Sequence, residues 1–307
     1  MSDILNAIGK TPIVKLKNIV PDGCGEIYVK LEAFNPTGSK KDRMALSMIL
    51  GAEKKGVLKK GMTVVEYSGG STGAGLAFVC SLKGYNFRLV TADVFGKEKI
   101  DLMRSLGANL EIIKSSDGKI NKELITKMIK KADQISKEPN TFFTNQLNNT
   151  DVIDGFVPLG EEILDQLNGK VDAVCDTVGT AGTLMGIAKA LKKAKSNCKV
   201  VAVEPSSSPI LSKGIKGSHN VEGVGLGFVP NIYDEKLVDN VISIDETVAR
   251  KICKDLARKE GIFCGTSSGM NVAAAIQISK ELGPKSKVVT VACDTGLKYL
   301  SEGLFDD

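Results

Sequence analysis

Hydrophobic residues along this chain follow two alternating patterns. Short apolar runs rich in valine and isoleucine predict buried β-strands, and the segments between them carry apolar residues at the spacing of a helix. The runs that predict strands are residues 26–32, 63–67, 87–92, 109–114, 172–178, 199–205, 240–244 and 287–293. The segments that predict helices are residues 72–84, 98–107, 121–137, 182–194, 245–261 and 268–282. Because strand and helix alternate, the pattern predicts an α/β fold with parallel sheets covered by helices on both faces.

The length of the chain and one irregular segment predict two domains. At 307 residues the chain exceeds the usual size of a single compact domain. The stretch from residue 140 to residue 158 is rich in asparagine and threonine and interrupts the alternation near the middle of the chain. We therefore interpret this stretch as the place where the chain crosses from one domain to the other.

Charge and the amino-terminal sequence narrow the classes of function. The net charge of +5 comes from 41 basic and 36 acidic residues, and the lysines occur as scattered pairs within helix-like segments. Such pairs are typical of solvated helix faces rather than of a nucleic-acid surface. The first residues include an acid and a proline and lack the long apolar stretch of a signal peptide or a membrane span. We therefore expect a cytoplasmic protein that binds neither nucleic acid nor membrane.

The cysteine and histidine content argues against a disulfide framework and a zinc site. Cys80 and Cys175, two of the seven cysteines, lie in apolar runs, as buried reduced thiols do. The sequence has no C-x-x-C pair and a single histidine, whereas zinc sites draw on several cysteine and histidine ligands. We expect no metal.

Three loops rich in glycine and hydroxyl residues follow predicted strands and open predicted helices. They are residues 68–73 (SGGSTG), 179–183 (GTAGT) and 265–269 (GTSSG). Glycines let backbone N–H groups approach a ligand closely, and the amino terminus of a helix attracts an anion. Ligands of α/β proteins bind at such positions. Each loop therefore suits a phosphate or a carboxylate, although a tight turn before a capped helix would explain any one of them alone.

Several common chemistries are disfavoured, and lysine remains. None of the loops has the G-x-G-x-x-G spacing of a dinucleotide site, and Ile4 stands where a P-loop ending in the GKT of residues 9–11 needs its first glycine. His219 has no serine or cysteine nucleophile in a recognisable elbow, so we interpret it as a loop histidine. A lysine amine that is desolvated beside anion-binding loops suits Schiff-base chemistry. Lys41 is the candidate, although its position alone would also fit a surface charge.

The stretch NPTGSKKDR at residues 35–43 resembles the N-P-x-x-S-x-K-x-R motif of the β-family, or fold type II, pyridoxal-phosphate enzymes. With AIGKTPIVKL, SGGSTG, TNQ, GTAGT, VEP, EGVGLGFVP, EGIFCGTSSG and DTGLKYL in family order, almost the whole chain resembles the cysteine synthases (O-acetylserine sulfhydrylases) and their cystathionine β-synthase relatives. The resemblance implies a homodimer with a two-domain, tryptophan synthase β-like fold and pyridoxal 5'-phosphate in the cleft between the domains. It implies a smaller, mobile domain at residues 41–149 and a larger domain formed by residues 1–40 and 150–307.

The resemblance also implies which residues bind the cofactor. Lys41 fills the lysine of the motif and is expected to form the Schiff base with the cofactor. Lys40 sits where the family usually has an apolar residue, and we expect its replacement by alanine to be nearly silent. Ser267 matches the residue that hydrogen-bonds the pyridine nitrogen, with Ser268 as the alternative if the register is off by one. The residues expected to wrap the cofactor phosphate are Gly179, Thr180, Ala181, Gly182 and Thr183.

The loop that should clamp the substrate carboxylate departs from the family pattern. Cysteine synthases typically read T-S-G-N-T at this place, whereas this chain has Gly69 in place of a hydroxyl residue. It also has Ser71 in place of the asparagine that touches the phenolic oxygen of the cofactor. Carboxylate binding by backbone N–H groups survives such changes, so they leave the substrate preference and the reaction direction open. The residues expected to bind the substrate are Ser68, Gly69, Gly70, Thr72 and Gln146.

The resemblance implies replacement of a substituent on the β-carbon of a serine- or cysteine-type amino acid through an aminoacrylate, with Lys41 as Schiff-base residue and as base. The family default is O-acetylserine plus sulfide giving cysteine. The alternative within the class is a cysteine lyase that converts L-cysteine and water to L-serine and hydrogen sulfide. Asn231 stands where cysteine synthases generally carry a small residue, so we predict that it orients a water during catalysis, with an exposed turn as the plain alternative.

Two interpretations from other classes are weaker. A catalytically silent relative that only binds an amino acid would be favoured by the loss of Lys41, which is present. A nucleotide-binding oxidoreductase is disfavoured by the absent glycine motif. The expected partners are therefore the amino-acid substrate and sulfide or water. A serine acetyltransferase partner is possible, but no feature of the sequence indicates one.

Overall fold

The computed structural model describes residues 3–118 and 122–306, and the chain folds around two β-sheets. The strands of the larger sheet are β1 (Ile13–Lys15), β2 (Glu26–Leu31), β7 (Ala173–Thr177), β8 (Lys199–Pro205), β9 (Asn240–Ile244) and β10 (Lys287–Ala292). The strands of the smaller sheet are β3 (Thr63–Tyr67), β4 (Asn86–Ala92), β5 (Asn109–Ile113) and β6 (Thr141–Phe143). The strand order is β1-β2-β10-β7-β8-β9 in the larger sheet and β5-β4-β3-β6 in the smaller one.

Both sheets are built from parallel pairs, with one exception at an edge. All three pairings of the smaller sheet are parallel, and Val65 lies opposite Arg88 and Phe143. In the larger sheet only β1 runs antiparallel, with Val14 opposite Val29. A parallel neighbour requires a crossover, and helices supply the crossovers here. The predicted α/β class is confirmed.

The helices lie between the strands and cover both sheets. In chain order they are α1 (Lys41–Lys54), α2 (Ser71–Lys83), α3 (Lys97–Ser105), α4 (Lys122–Ser136), α5 (Asp151–Gln166), α6 (Gly182–Lys193), α7 (Ile210–Lys213), α8 (Glu246–Asp255) and α9 (Thr266–Leu282). Short 3₁₀ segments occupy Ile4–Ala7, Glu32–Phe34, Glu235–Leu237 and Gly296–Glu302, and a π-helical turn, Leu256–Glu260, continues α8. Within the described ranges, no helix has the length and apolar character needed to cross a membrane.

All eight predicted strands are present, and among the described strands and α-helices the sequence patterns missed β1, β6, α1, α5 and α7. The missed strands β1 and β6 are three residues long, which is too short for an alternating pattern to show. Helices α1 and α7 were not among the predicted segments, and the first half of α5 lies in the asparagine- and threonine-rich stretch that was interpreted as the crossing between domains. Residue 121, the first of a predicted helix, lies outside the described residues. Strand β6 belongs to the smaller sheet and β7 to the larger one, so the chain does change sheet after residue 143.

A continuous apolar core joins the two sheets. Val64 and Leu89 of the smaller sheet belong to the same cluster of buried side chains as Val174 and Val289 of the larger sheet. Helices α1, α2, α5 and α6 contribute many of the other members of this cluster, and α8 and α9 cover the opposite face of the larger sheet. The carboxyl ends of β3, β7 and β10 each lead into one of the segments that carry the candidate site, as is usual for parallel sheets.

Candidate active site

The motif lysine lies at the start of a helix that is fastened to the carboxyl end of β10. Ser39 forms an isolated antiparallel bridge with Asp294, and the N–H of Lys40 donates to the carbonyl of Cys293 at 2.8 Å. Helix α1 begins at the next residue, Lys41. These contacts place Lys41 beside the edge of the larger sheet where the glycine loop after β7 also begins.

Lys41 has the electrostatic surroundings of a reactive amine. Burial, followed by the neighbouring charge of Lys40, lowers the pKa of Lys41 to about 8 against the opposite effects of Cys293, Asp176 and Asp294. The residue is nevertheless partly exposed, so a ligand can reach it. A lysine with a pKa near neutrality has a usable fraction of neutral amine, which is the form that attacks a carbonyl and accepts a proton.

Lys40 is buried and paired, and these contacts argue against the expectation that its loss would be silent. Its Nζ donates to both carboxylate oxygens of Asp176, at 2.9 and 2.7 Å, and 4% of the residue is exposed. Burial alone would lower the pKa of Lys40, but the charges of and hydrogen bonds to Asp176 and Cys293 together outweigh burial and raise it. Removing one member of a buried ion pair leaves the other charge uncompensated, which costs about 3–5 kcal/mol. The sequence concealed this role because the partner lies 136 residues away.

The loop at residues 179–183 presents an open anion site. It joins β7 to α6, and its Ala181 adopts a left-handed conformation with φ of 71° as the N-cap residue of α6. The N-cap residue makes no side-chain hydrogen bond, and the N–H of Gly182 has only a long contact of 3.4 Å with Oγ1 of Thr180, so the start of this helix suits an anion. A Cβ on Gly179 would lie 2.0 Å from the carbonyl oxygen of Gly223, so only glycine fits where the loop passes the segment after β8. Thr180 is partly exposed and Thr183 is buried.

Gly182 is required by helix packing as well. A Cβ at this position would lie 2.2 Å from Cγ1 of Val152 on α5. A larger residue would therefore separate α6 from α5, whatever it did to a bound phosphate. The glycine that reports most directly on ligand approach in this loop is Gly179.

The start of α9 distinguishes the two candidate serines. Ser268 Oγ accepts the N–H of Cys293 at 2.9 Å and thereby ties α9 to the end of β10. Ser267 is the second residue of the helix, and its hydroxyl contacts the thiol of Cys293. Asn271, one turn further on, donates to Asp176 at 2.8 Å and accepts the N–H of Thr177 at 2.7 Å. Ser268 and Asn271 thus have structural hydrogen bonds, which leaves Ser267 as the better candidate for a ligand.

The loop at residues 68–72 and Gln146 are brought together as the sequence predicted. Ser68 Oγ accepts the N–H groups of Gly70 and Gly73, each at 3.1 Å, and so shapes the start of α2. Thr72 donates to Oε1 of Gln146 at 2.8 Å, and Nε2 of Gln146 donates to a carbonyl at the end of β3 at 3.0 Å. One N–H of that amide remains to bind a carboxylate.

Glu66 positions Gln146, a role that was not predicted from the sequence. Glu66 is fully buried in β3 and accepts the N–H of Gln146 at 2.9 Å and the hydroxyl of Thr144 at 2.7 Å. Burial raises the pKa of Glu66 to about 7, although these hydrogen bonds and one from the N–H of Tyr67 oppose the shift. An acid inside the apolar run TVVEY was the available signal, because a buried carboxylate needs partners of this kind.

Ser71 is held by two charged residues from the carboxyl-terminal part of the chain. Its hydroxyl donates to Oδ2 of Asp294 at 3.1 Å and accepts from the amine of Lys298 at 3.1 Å. Tyr299 donates to the same Asp294 oxygen at 2.8 Å. Residues 294–300 were recognised as part of the resemblance, but no role was predicted for Asp294 or Lys298. They link the smaller sheet's loop to the end of β10.

Gly69, which replaces a hydroxyl residue, has a packing partner that explains it. A Cβ at this position would lie 2.2 Å from the ring of Phe95, which follows β4. The ring therefore occupies the space that a side chain at position 69 would need. Gly69 and Phe95 therefore account for this departure from the family pattern together, because the ring is compatible only with a glycine at position 69.

The side chain of Asn231 forms its hydrogen bond with a residue outside the set described above. It is exposed, and its Nδ2 donates to Oδ1 of the exposed Asn148 at 2.5 Å. Asn148 follows Gln146 by two residues, so the amide of Asn231 touches the segment that carries the clamp. Its catalytic role stays a prediction.

Together these features define an α/β protein in which a lysine of lowered pKa lies next to two helix starts that can accept anions. The chain belongs to the family of pyridoxal-phosphate dependent enzymes, whose model matches residues 4–294. It is 42% identical over 313 aligned positions to a cysteine synthase of Staphylococcus aureus, covering all of this chain and 98% of that protein.

Solved structures give the same result. A cysteine synthase of Entamoeba histolytica superposes with a TM-score of 0.93 at 32% identity, covering 100% of this chain and 91% of that one. A hydrogen sulfide-producing enzyme of Fusobacterium nucleatum superposes with a TM-score of 0.90 at 38% identity, covering 98% of each chain. The predicted fold type II architecture and the pyridoxal-phosphate cofactor are confirmed.

The residues of this chain fit that cofactor. The uncapped start of α6 suits a phosphate, and the amine of Lys41 suits an aldehyde. Oδ1 of Asp294 is a buried acceptor that has no hydrogen-bond partner among the described residues. Such an atom is expected where a ligand completes the site.

Proposed function

We propose that this protein is a β-replacing enzyme of the cysteine synthase type, which converts O-acetylserine and sulfide to cysteine. The observation that carries the proposal is the lowered pKa of Lys41 at the carboxyl edge of the larger sheet. Two of the groups that act on Lys41 are Asp176 and Asp294. Asp176 lies in β7, which leads to the phosphate loop, and Asp294 accepts a hydrogen bond from the hydroxyl of Ser71. Lys41 therefore faces both halves of the candidate site.

The chain's residues would hold the cofactor by three contacts besides Lys41. The N–H groups and hydroxyls of residues 179–183 would bind the phosphate, Ser267 would hydrogen-bond the pyridine nitrogen, and Ser71 would lie near the phenolic oxygen. Pyridoxal phosphate, when bound, withdraws electrons from the α-carbon of a linked amino acid. A hydroxyl partner such as Ser267 leaves the ring nitrogen without a proton, which favours β-elimination over transamination.

The substrate carboxylate would be bound at the start of α2. Its ligands would be the backbone N–H groups of Gly69 and Thr72, with the second N–H of the Gln146 amide. Ser68 and Gly70 would shape the site instead, because their N–H groups already donate to the carbonyl of Val90 and to Oγ of Ser68. Lys41 would then act as the base that removes the α-proton, because a pKa of about 8 keeps part of the amine neutral at physiological pH.

A second candidate function is the cysteine lyase reaction, which gives L-serine and hydrogen sulfide from L-cysteine and water. The similarity to a hydrogen sulfide-producing enzyme favours it. In this reaction Asn231 would orient the water, and a carboxylate in its place could also take the proton. We expect Asn231→Asp to raise the yield of serine from cysteine and Asn231→Ala to lower it. Equal yields of serine in the two variants and the wild type would mean that Asn231 takes no part in the reaction.

One assay separates the two functions. The purified protein is incubated with O-acetylserine plus sulfide, and separately with cysteine alone, and the amino-acid products are identified by mass spectrometry. Cysteine from the first mixture supports the synthase, and serine from the second supports the lyase. Lys41→Ala should reduce both reactions by several orders of magnitude, since it removes the Schiff-base residue and the base together. Lys54→Ala, at the exposed far end of the same helix, is the matched control and should retain activity.

The domain organisation, assembly and location also belong to the proposal. We expect residues 41–149 to move as a smaller domain relative to residues 1–40 and 150–307, and two copies to form a homodimer. All seven cysteines are unpaired thiols, which agrees with a reducing cytoplasm. Light scattering on the purified protein would test the dimer.

A further inference from the structure

Lys40 and Lys41 are adjacent in sequence and differ in their surroundings. Lys41 is partly exposed and forms no ion pair within the described residues. Lys40 is buried, and its amine is hydrogen-bonded to both carboxylate oxygens of Asp176. The N–H of Lys40 is bonded as well, to the carbonyl of Cys293. Backbone and side chain of Lys40 are therefore both fixed, and its ammonium cannot turn toward solvent.

The partner carboxylate is embedded in the elements that hold the cofactor. Asp176 is completely buried in β7, the strand that leads to the phosphate loop. Asn271, on the helix that carries Ser267, donates to Asp176 at 2.8 Å, and the thiol of Cys293 lies 3.8 Å from the same oxygen. The ion pair thus connects the start of α1 with β7, α9 and the end of β10.

A buried ion pair is rarely explained by stability alone. Desolvation of both ions offsets most of their attraction, and apolar residues of the same volume would serve the core as well or better. The position of this pair, beside the lysine that performs the chemistry, suggests that the charge itself is used.

We propose that Lys40 is a positioning residue for the reaction: held by Asp176, it keeps a fixed positive charge beside Lys41, and this charge maintains the Lys41 amine in its neutral, nucleophilic form. The proposal rests on the proposed role of Lys41. One feature of the fold acts in the same direction, because Lys41 opens helix α1 and the amino terminus of a helix carries partial positive charge.

The groups facing Lys41 support this assignment by their signs. The groups with the largest effect on the pKa of Lys41 are Lys40, Cys293, Asp176 and Asp294. Lys40, at the start of the same helix, is the cation among them and lowers that pKa, whereas Asp176 on β7 and the two residues after β10 raise it. Removing Lys40 would leave, among these four groups, only those that favour the protonated amine, with burial and the helix start still opposing them.

Three variants separate the charge of Lys40 from its packing. Lys40→Met keeps the length of the side chain and removes the charge. Lys40→Arg keeps the charge, because a guanidinium stays protonated. The double variant Lys40→Met with Asp176→Asn removes both charges and avoids an orphaned buried carboxylate. Lys30→Met is the matched control, because Lys30 is also completely buried and paired with an acid, Glu162, but is not among the principal groups acting on Lys41.

The primary readout is the acetylation rate of Lys41 by trace acetic anhydride from pH 6 to pH 11, measured by mass spectrometry on the full chain without cofactor. An exposed lysine of the same sample, Lys54, provides the reference. The second readout is the pH dependence of the visible absorption band of the cofactor-loaded protein. Neither requires turnover, so both can be measured in inactive variants.

We expect the pKa of Lys41 to be highest in Lys40→Met, intermediate in the double variant, and near the wild-type value in Lys40→Arg. An increase of about one in the pKa of Lys41 lowers the acetylation rate at pH 7 about tenfold. Lys30→Met should leave the rate unchanged, although it should lower the unfolding temperature.

An unchanged pKa of Lys41 in both Lys40→Met and the double variant would overturn the proposal, and so would a pKa that moves equally in Lys30→Met. Loss of stability in the Lys40 variants without a change in the pKa would assign Lys40 a purely structural role. The proposed function fails differently: if the cofactor is attached to another lysine, the acetylation result for Lys41 still stands as measured.

Discussion

The glycine loops at residues 179–183 and 68–72 have the same local design and different surroundings. Each follows the carboxyl end of a parallel strand and opens a helix whose N-cap residue has no side-chain hydrogen bond. The loop at 179–183 approaches its neighbour through backbone, since Gly179 passes the carbonyl of Gly223. In the loop at 68–72, side chains from distant segments hold the polar residues, as Gln146 does for Thr72 and Asp294 does for Ser71.

This difference separates a generic ligand from a specific one. A phosphate can be bound by N–H groups at a helix start, which any chain supplies if no Cβ interferes. Discrimination among amino-acid substrates needs side-chain groups at fixed positions, and these must come from elsewhere in the fold. Changes in the two loops should therefore have separable effects on cofactor binding and on substrate binding.

Gly179→Ala should damage the phosphate loop most. Its Cβ would lie 2.0 Å from the carbonyl oxygen of Gly223, so the backbone must move away from the phosphate. Loss of one or two hydrogen bonds to a charged group corresponds to cofactor affinity reduced on the order of 100-fold. Fluorescence titration of the cofactor-free chain measures it.

Gly84→Ala is the matched control for that substitution. Gly84 ends α2 with a φ of 74°, and a Cβ at this position would point into open space, with no neighbouring atom within 4 Å. The change should cost about 1 kcal/mol of unfolding free energy without affecting cofactor affinity. Cofactor loss in both variants would mean that reduced stability, and not the loop geometry, controls binding.

Gln146→Ala should affect the substrate and leave the cofactor bound. It removes the amide that Thr72 and the end of β3 hold in place. We expect the KM for the amino-acid substrate to rise about tenfold, the cost of one hydrogen bond to a carboxylate. Steady-state kinetics and the cofactor titration, run together, test the split. Gln166→Ala, which removes a hydrogen bond to Thr11 outside the site, should change neither quantity.

Glu66 should make substrate binding depend on pH. Because burial raises its pKa to about 7, Glu66 becomes protonated as the pH falls through neutrality and then accepts the N–H of Gln146 less well. The KM should therefore increase several-fold between about pH 8 and pH 6. In Glu66→Gln the KM should be raised at both values and should no longer change with pH. A wild-type KM that is constant over this interval would show that Glu66 does not titrate there.

Ser71→Asn should have the smallest effect. The longer amide must displace Lys298 or Asp294 from their contacts with position 71. We expect a shifted visible absorption band and a few-fold change in the ratio of products from O-acetylserine and from cysteine. An identical spectrum and ratio would mean that the serine at this position has no influence on the reaction.

The difference between local contacts and contacts with distant segments also explains which features could be predicted from the sequence. Strands such as β8 and β10 are long, apolar and β-branched, so their pattern was clear, and the loops that follow strands were found by their glycines. Helix α5 was missed because it begins within the stretch of residues 140–158, whose asparagines and threonines interrupt the alternating pattern. Phe95 was missed because nothing in the local sequence marks a ring that fills the space beside Gly69.

The charged residues of the site were the hardest to predict. Lys40 and Asp176 form a pair only after folding brings α1 and β7 together. Asp294 and Lys298 reach Ser71 across more than 220 residues of sequence. Pairing over such separations depends on topology, which the hydrophobic pattern specifies only as a class.

We propose that Lys41 is the one lysine that forms the covalent bond to the cofactor. The most direct measurement is reduction of the loaded protein with borohydride, followed by proteolysis and tandem mass spectrometry of the peptide that contains residues 35–43. Reduction fixes the cofactor on the lysine that carries it, and the fragment ions distinguish the two adjacent lysines. We expect the label on Lys41, with Lys40 unmodified. A label on Lys40, or on a lysine outside this peptide, would contradict the claim.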